Sequence, residues 1–114
     1  MKLYAFVAPI QPGKTAEFRQ FVGELEGSRK EEYEASRKSA GISRENIFLQ
    51  TTPKGEMVAI VQEAETEKGA LDSLRSMKDP FNVWFFQKLT EIHGLDVGCT
   101  DVPVNELLLD YRSA

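Results

Sequence analysis

Two short stretches of this chain are apolar at consecutive positions, and most of what surrounds them follows the period of a helix or a strand. Residues 3–8, Leu3-Tyr4-Ala5-Phe6-Val7-Ala8, are bounded by Pro9 and by Pro12-Gly13. A continuous apolar run of that length predicts a strand buried on both faces. Leu3, Ala5 and Val7 then point to one side and Tyr4, Phe6 and Ala8 to the other. Met57-Val58-Ala59-Ile60-Val61 is the second such run. It pairs with residues 46–52 as a hairpin, because Pro53-Lys54-Gly55 supplies the turn: Pro53 presets φ and Gly55 is free to take φ > 0.

Between these strands the period becomes helical. Phe18, Phe21, Val22 and Leu25 share one face, and that face continues through Arg29, Tyr33, Ser36 and Ala40 to a stop signal at Gly41. The pattern predicts one long helix, apolar inside at first and then carrying polar groups inward. Gly23 and Gly27 sit one turn apart on its opposite face. Thr66 caps a short helix bearing Ala70, Leu71, Leu74 and Met77. Asp79-Pro80 starts another, with aspartate at the N-cap and proline at N1. Its stripe is Phe81, Trp84, Phe85, Leu89 and Ile92, with Val83 and Phe86 off the stripe, and Gly94 ends it. Residues 95–104 read as irregular. Residues 106–112 alternate as a last strand, with Leu107, Leu109 and Tyr111 on one side and Leu108 and Asp110 on the other.

The order βαββαβ predicts an α+β, ferredoxin-like sandwich: a four-stranded antiparallel sheet with both helices on one face. Strands one and three, the most apolar, fall in the middle. The helix-free face then presents Phe6 or Val7, depending on register, with neighbours from strand three. An apolar patch of that extent is uncommon on a soluble monomer, so the expectation is a homodimer packed face to face through the sheets. This arrangement, with Pro12-Gly13-Lys14 followed by Glu17-Phe18 at the entry to the first helix, resembles the dimeric α/β-barrel superfamily. That superfamily includes antibiotic-biosynthesis monooxygenases and many uncharacterised small proteins. The resemblance implies a pocket between helices and sheet, and it leaves the chemistry open because the family's chemistry is diverse.

Composition narrows the partners. The 114 residues make one domain, 1–114, long enough for a real core. Acidic residues outnumber basic ones 18 to 14, for a net charge of −4. With no basic stripe, nucleic acid is not an expected partner. No apolar run approaches the ~20 residues of a membrane span. The lone Cys99 excludes an internal disulfide and, without a signal-like N-terminus, a cytoplasmic setting is the expectation.

Three groups of residues are candidates for chemistry. His93, the only histidine, reads as a helix-end group favourably placed against the dipole, or as a general base. Trp84 reads as core or as a ligand-stacking surface. Trp84 and His93 together resemble haem-degrading members of the superfamily, but the first strand has no asparagine and the Trp84–His93 spacing differs, so that activity is not carried over. Arg29, Tyr33 and Ser36, with Tyr4 and Tyr111 as further phenols, form the third group. A buried arginine requires a partner, for which Glu63, Asp110 or a ligand carboxylate are the choices. No cofactor motif or metal-ligand spacing is present. The function expected is binding of a small apolar or aromatic molecule, an anionic one included, by a homodimer. The alternatives are a cofactor-independent monooxygenase or isomerase with His93 as base, and a non-catalytic assembly protein using Val83, Phe86 and the Gly23/Gly27 face.

Overall fold

A computed structural model describes residues 1–94 and 103–113 of the chain. The order is β1 (Lys2–Pro9), α1 (Thr15–Glu26), α2 (Lys30–Ser39), β2 (Ile42–Thr52), β3 (Gly55–Ala64), α3 (Glu67–Ser76) and α4 (Pro80–His93). The three strands form one antiparallel sheet in the order β1-β3-β2. The α+β class, the hairpin and its turn match the sequence pattern. Cys99 and most of the irregular stretch around it lie outside the described residues.

Register settles which side of β1 faces the helices. Tyr4, Phe6 and Ala8 stand opposite Gln62, Ile60 and Val58 of β3, which in turn stand opposite Glu45, Ile47 and Leu49 of β2. These three cross-strand rows face the helices. Val58 packs with Phe18, Phe21, Leu25, Phe81, Phe85 and Ile92 in the main core, and Tyr4 with Ala64, Ala70 and Leu74 in a second cluster. Leu3, Ala5 and Val7 therefore line the helix-free face, where Val7 is 48% and Phe48 56% exposed. Of the two residues left open by the sequence, Val7 is the exposed one.

Several expectations are corrected. The single long helix predicted to carry Phe18 through Ala40 is two helices, interrupted at residues 27–29. Gly27 leaves helical geometry, with φ −120° and ψ −103°, and glycine followed by serine has little intrinsic reason to hold a helix. β2 begins at Ile42, four residues before the expected start. A register shift between Ile42 and Arg44 leaves Ser43 as an extra residue. This bulge lets Ile42 and Glu45, an odd number of positions apart, share the helix side. Residues 106–112 do not form a ladder. The described C-terminal segment makes a single antiparallel bridge, Asn105 to Ala5, so among the described residues β1 has β3 on one side and this one bridge on the other.

α4 follows its sequence signals. The Asp79 side chain accepts from the Asn82 backbone N–H, Pro80 opens the helix, and Gly94 closes it with φ 73°. A Cβ at Gly94 would lie 2.9 Å from the end of the flexible Gln11 side chain, which could shift, so it is the left-handed backbone conformation that favours glycine there. That closure puts His93 against the end of β1.

Candidate functional site

The space between sheet and helices is not filled. A cavity of about 90 Å³ remains, walled by Phe6, Ala8, Ile47, Val58 and Ile60 from the sheet and by Phe18, Leu71, Leu74, Phe85, Phe86 and Leu89 from the helices. Arg37, Glu45, Gln62 and His93 are the polar residues of its lining.

One polar end comes from the third cross-strand row, Tyr4–Gln62–Glu45, and from α2 above it. Tyr4 donates its hydroxyl to Gln62 Oε1 at 2.6 Å. Gln62 Nε2 donates to Glu45 Oε2, and Tyr33 donates its hydroxyl to Glu45 Oε1. Arg37 Nε donates to the same Oε1 at 3.1 Å, in an ion pair whose side chains are only 8% and 5% exposed. The guanidinium also lies 4.4 Å from the Phe85 ring centroid and 4.8 Å from that of Tyr33. Its Nη1 donates to Ser36 Oγ at 3.2 Å, and Ser36 donates to Asn82 Oδ1 at 2.9 Å. Asn82 Nδ2 then donates to Asp79 Oδ1 at 2.8 Å. One continuous hydrogen-bonded chain thus runs from β1 across the sheet, through α2, to the N-cap of α4. Among the described residues no buried side-chain nitrogen or oxygen lacks a partner, as the cost of an unpaired buried polar group demands.

Burial, with the Glu45 carboxylate next in weight, pushes the Tyr33 phenol well above its usual range. Tyr33 is therefore a donor at any ordinary pH. His93 forms a second, separate polar point. Its ring is buried, and Nδ1 lies 2.8 Å from the Pro9 carbonyl oxygen. A carbonyl only accepts, so Nδ1 carries the proton and Nε2 keeps a lone pair. Burial holds the imidazole below its usual pKa, with the Pro9 carbonyl opposing in part, so the ring is neutral at pH 7.

The structure sorts the candidates read from sequence. Tyr4, Tyr33 and Ser36 belong to the buried network. Arg29 does not: it falls in the break between α1 and α2, stacks 4.0 Å over Trp84 and meets Glu32 at 3.4 Å. Neither Glu63 nor Asp110 is its partner. Trp84 packs between Arg29, Phe21 and Phe81, outside the cavity wall. The buried arginine is Arg37, and its carboxylate is Glu45; sequence reasoning missed both. Restarting the helix at Lys30 turns Arg37, one turn beyond Tyr33, inward. Glu45 was legible in principle, because it extends the Ile47–Leu49 alternation by two residues. Among the described residues no cluster of His, Cys, Asp or Glu forms a metal site, and no helix is long and apolar enough to cross a membrane.

Residues 1–91 match the model of a family of unknown function, DUF6176. No curated protein matches the chain.

Proposed function

Since the chain belongs to the DUF6176 family, a family of unknown function, its role has to be argued from the site, and we propose that it is a homodimeric binding protein for a small, largely apolar molecule held between helices and sheet. The observation that carries this reading is the unfilled cavity, apolar on nearly every side in a core whose other aromatics pack closely. Its size limits the occupant. At about 90 Å³ it holds less than the ~150 Å³ in which benzene binds an engineered cavity, so a five-membered ring or a short branched chain is the natural fit. A negative charge on the ligand is disfavoured, because Glu45 already neutralises Arg37. His93, held through Nδ1 by the Pro9 carbonyl, is the polar residue of the lining outside that network.

In the same reading the fold is ferredoxin-like, of the dimeric α/β-barrel kind. The Asn105 bridge supports it, since it occupies the outer edge of β1, where a fourth strand belongs in that order. The helix-free face, with Val7 and Phe48, is the dimer surface. A second reading, a cofactor-independent oxygenase or isomerase, is favoured by one observation: a buried, neutral His93 with its tautomer fixed is arranged as a base.

Methyl NMR tests the first reading directly. Xenon under pressure, then furan, should shift the methyls of Val58, Ile60, Leu74 and Leu89 in a saturable way, and Val58→Ile should weaken both by filling the space. Methyls that do not respond to either probe refute the cavity as a binding site. Sedimentation equilibrium of the untreated protein tests the dimer.

A further inference from the structure

The C-terminal segment is the one described part of the chain that buries almost nothing. It starts in register: Asn105 N–H donates to the Ala5 carbonyl at 2.6 Å, on the outer edge of β1. A fourth strand would continue that ladder. Instead residues 106–113 run on without regular pairing among the described residues, although their alternation is that of a strand. One side of the segment, Leu107, Leu109 and Tyr111, is apolar, the other carries Leu108 among Glu106, Asp110 and Arg112, and both are open, with Leu108 85%, Leu109 82% and Tyr111 80% exposed and Leu107 half exposed. An edge strand of a sandwich keeps one row against its own core; here neither row has a cover.

The far end of the segment lies beside the helix-free face. Asp110, Tyr111 and Arg112 border a groove of about 390 Å³ whose other walls are apolar at Leu3, Phe48 and Val61 and polar toward Arg44, Asn46 and Glu63. A segment separated from the face by that much space is not packed on it. The same molecule therefore presents, on one side, an apolar arm without a seat and an apolar face without a cover. Two such surfaces on one chain are complementary to a second copy of that chain, and a two-fold axis doubles the contact because each copy supplies both halves. A row of unpaired backbone groups in an extended arm is likewise satisfied by pairing with another chain.

We propose that residues 106–113 form an exchanged arm, which places Leu107, Leu109 and Tyr111 on the helix-free face of a second copy. The proposal rests on the homodimer reading above and adds the segment that secures it. Two variants test it: the chain ended after Asn105, and the double substitution Leu108→Asp with Leu109→Asp. Sedimentation equilibrium should show a dimer for the unaltered protein and a dissociation constant raised by about 100-fold or more for both variants. Far-UV circular dichroism should be unchanged, because the altered side chains touch almost nothing within the monomer. Hydrogen exchange of the 106–113 amides in the unaltered chain should be slow at high protein concentration and fast on dilution. If both variants dimerise within threefold of the unaltered chain, or if these amides stay unprotected in the dimer, the arm is not part of the interface, while the dimer itself stands. An unaltered chain that is monomeric at high concentration removes both readings.

Discussion

Replacing Arg37 by methionine tests the electrostatic description of the site. The substitution keeps a long apolar stem over Phe85 and removes the charge, leaving the Glu45 carboxylate, 5% exposed, without its cation. At the observed 3.1 Å and an effective dielectric of about 20, the Coulomb term lost is about 5 kcal/mol. Tyr33 and Gln62 still donate to Glu45, and hydrogen bonds to a charged group retain about 1.5–3 kcal/mol each. The expected cost is therefore at the lower end of the range for orphaning one member of a buried pair, about 3 kcal/mol. Adding Glu45→Gln removes the orphaned charge and keeps one acceptor oxygen, enough for Tyr33, while its NH2 takes the place of the oxygen that faced Gln62. The double variant should thus be more stable than Arg37→Met alone, with a coupling energy of about 2 kcal/mol. Urea unfolding followed by far-UV circular dichroism, at one fixed protein concentration because assembly contributes to stability, measures both. A single variant that loses less than about 1 kcal/mol, or a double variant whose costs simply add, would show that the pair is solvated and uncoupled.

Three further outcomes follow from particular groups. The folded His93 resists protonation by burial, while the unfolded chain takes up that proton near the ordinary value of 6.5; stability should be full above that pH and decline as pH falls below it, and His93→Gln should flatten the decline in pH-dependent unfolding curves. Tyr33 shifts the other way: the unfolded phenol ionises near 10.0 while the folded one holds its proton, so stability should fall as pH rises above 10, with Tyr33→Phe weakening that fall. Asp79→Ala removes the α4 cap and should cost about 1 kcal/mol in thermal or urea unfolding; an unchanged midpoint would mean that Pro80 alone starts the helix.

The parts of the fold that the sequence carries are those set by local rules. β1 was readable because a bounded six-residue apolar run has few other interpretations, and α4 because Asp79-Pro80 and Gly94 each act through one or two neighbouring backbone groups. The break at 27–29 was not readable by periodicity, since Phe18 to Leu25 and Tyr33 to Ala40 fit one helical phase closely enough to conceal a restart. That concealed restart is also why Arg29 looked buried and Arg37 did not: a shift of one residue rotates a side chain by about 100°. Glu45 was hidden differently. Its facing follows from the Ile47–Leu49 alternation, but its partners, Gln62 on β3 and Tyr33 and Arg37 on α2, come from two other elements that no local pattern brings together. The last strand failed for the most general reason. The alternation of residues 106–112 is a local property, whereas a ladder needs an opposing backbone, and the described chain supplies that at Asn105 alone.

The arrangement of the three cross-strand rows bears on how the cavity can be used. Ala8–Val58–Leu49 and Phe6–Ile60–Ile47 are apolar, and Tyr4–Gln62–Glu45 is polar and fully engaged. A ligand cannot extend toward the polar row without breaking a buried bond to Glu45, and each such break leaves a group unpaired in a dry site. The sheet floor is equally fixed, since a β-hairpin pinned on both sides of β3 does not move one residue at a time. Any enlargement beyond 90 Å³ therefore comes from the helix side, where Leu71, Phe86 and Leu89 are only partly buried, rather than from Phe18 or Phe85, which are buried. Substituting one of those three partly buried residues by alanine should widen the range of ligands accepted at modest cost in stability. The same change at Phe85 should cost about 3–5 kcal/mol, because it also removes the aromatic surface on which Arg37 rests.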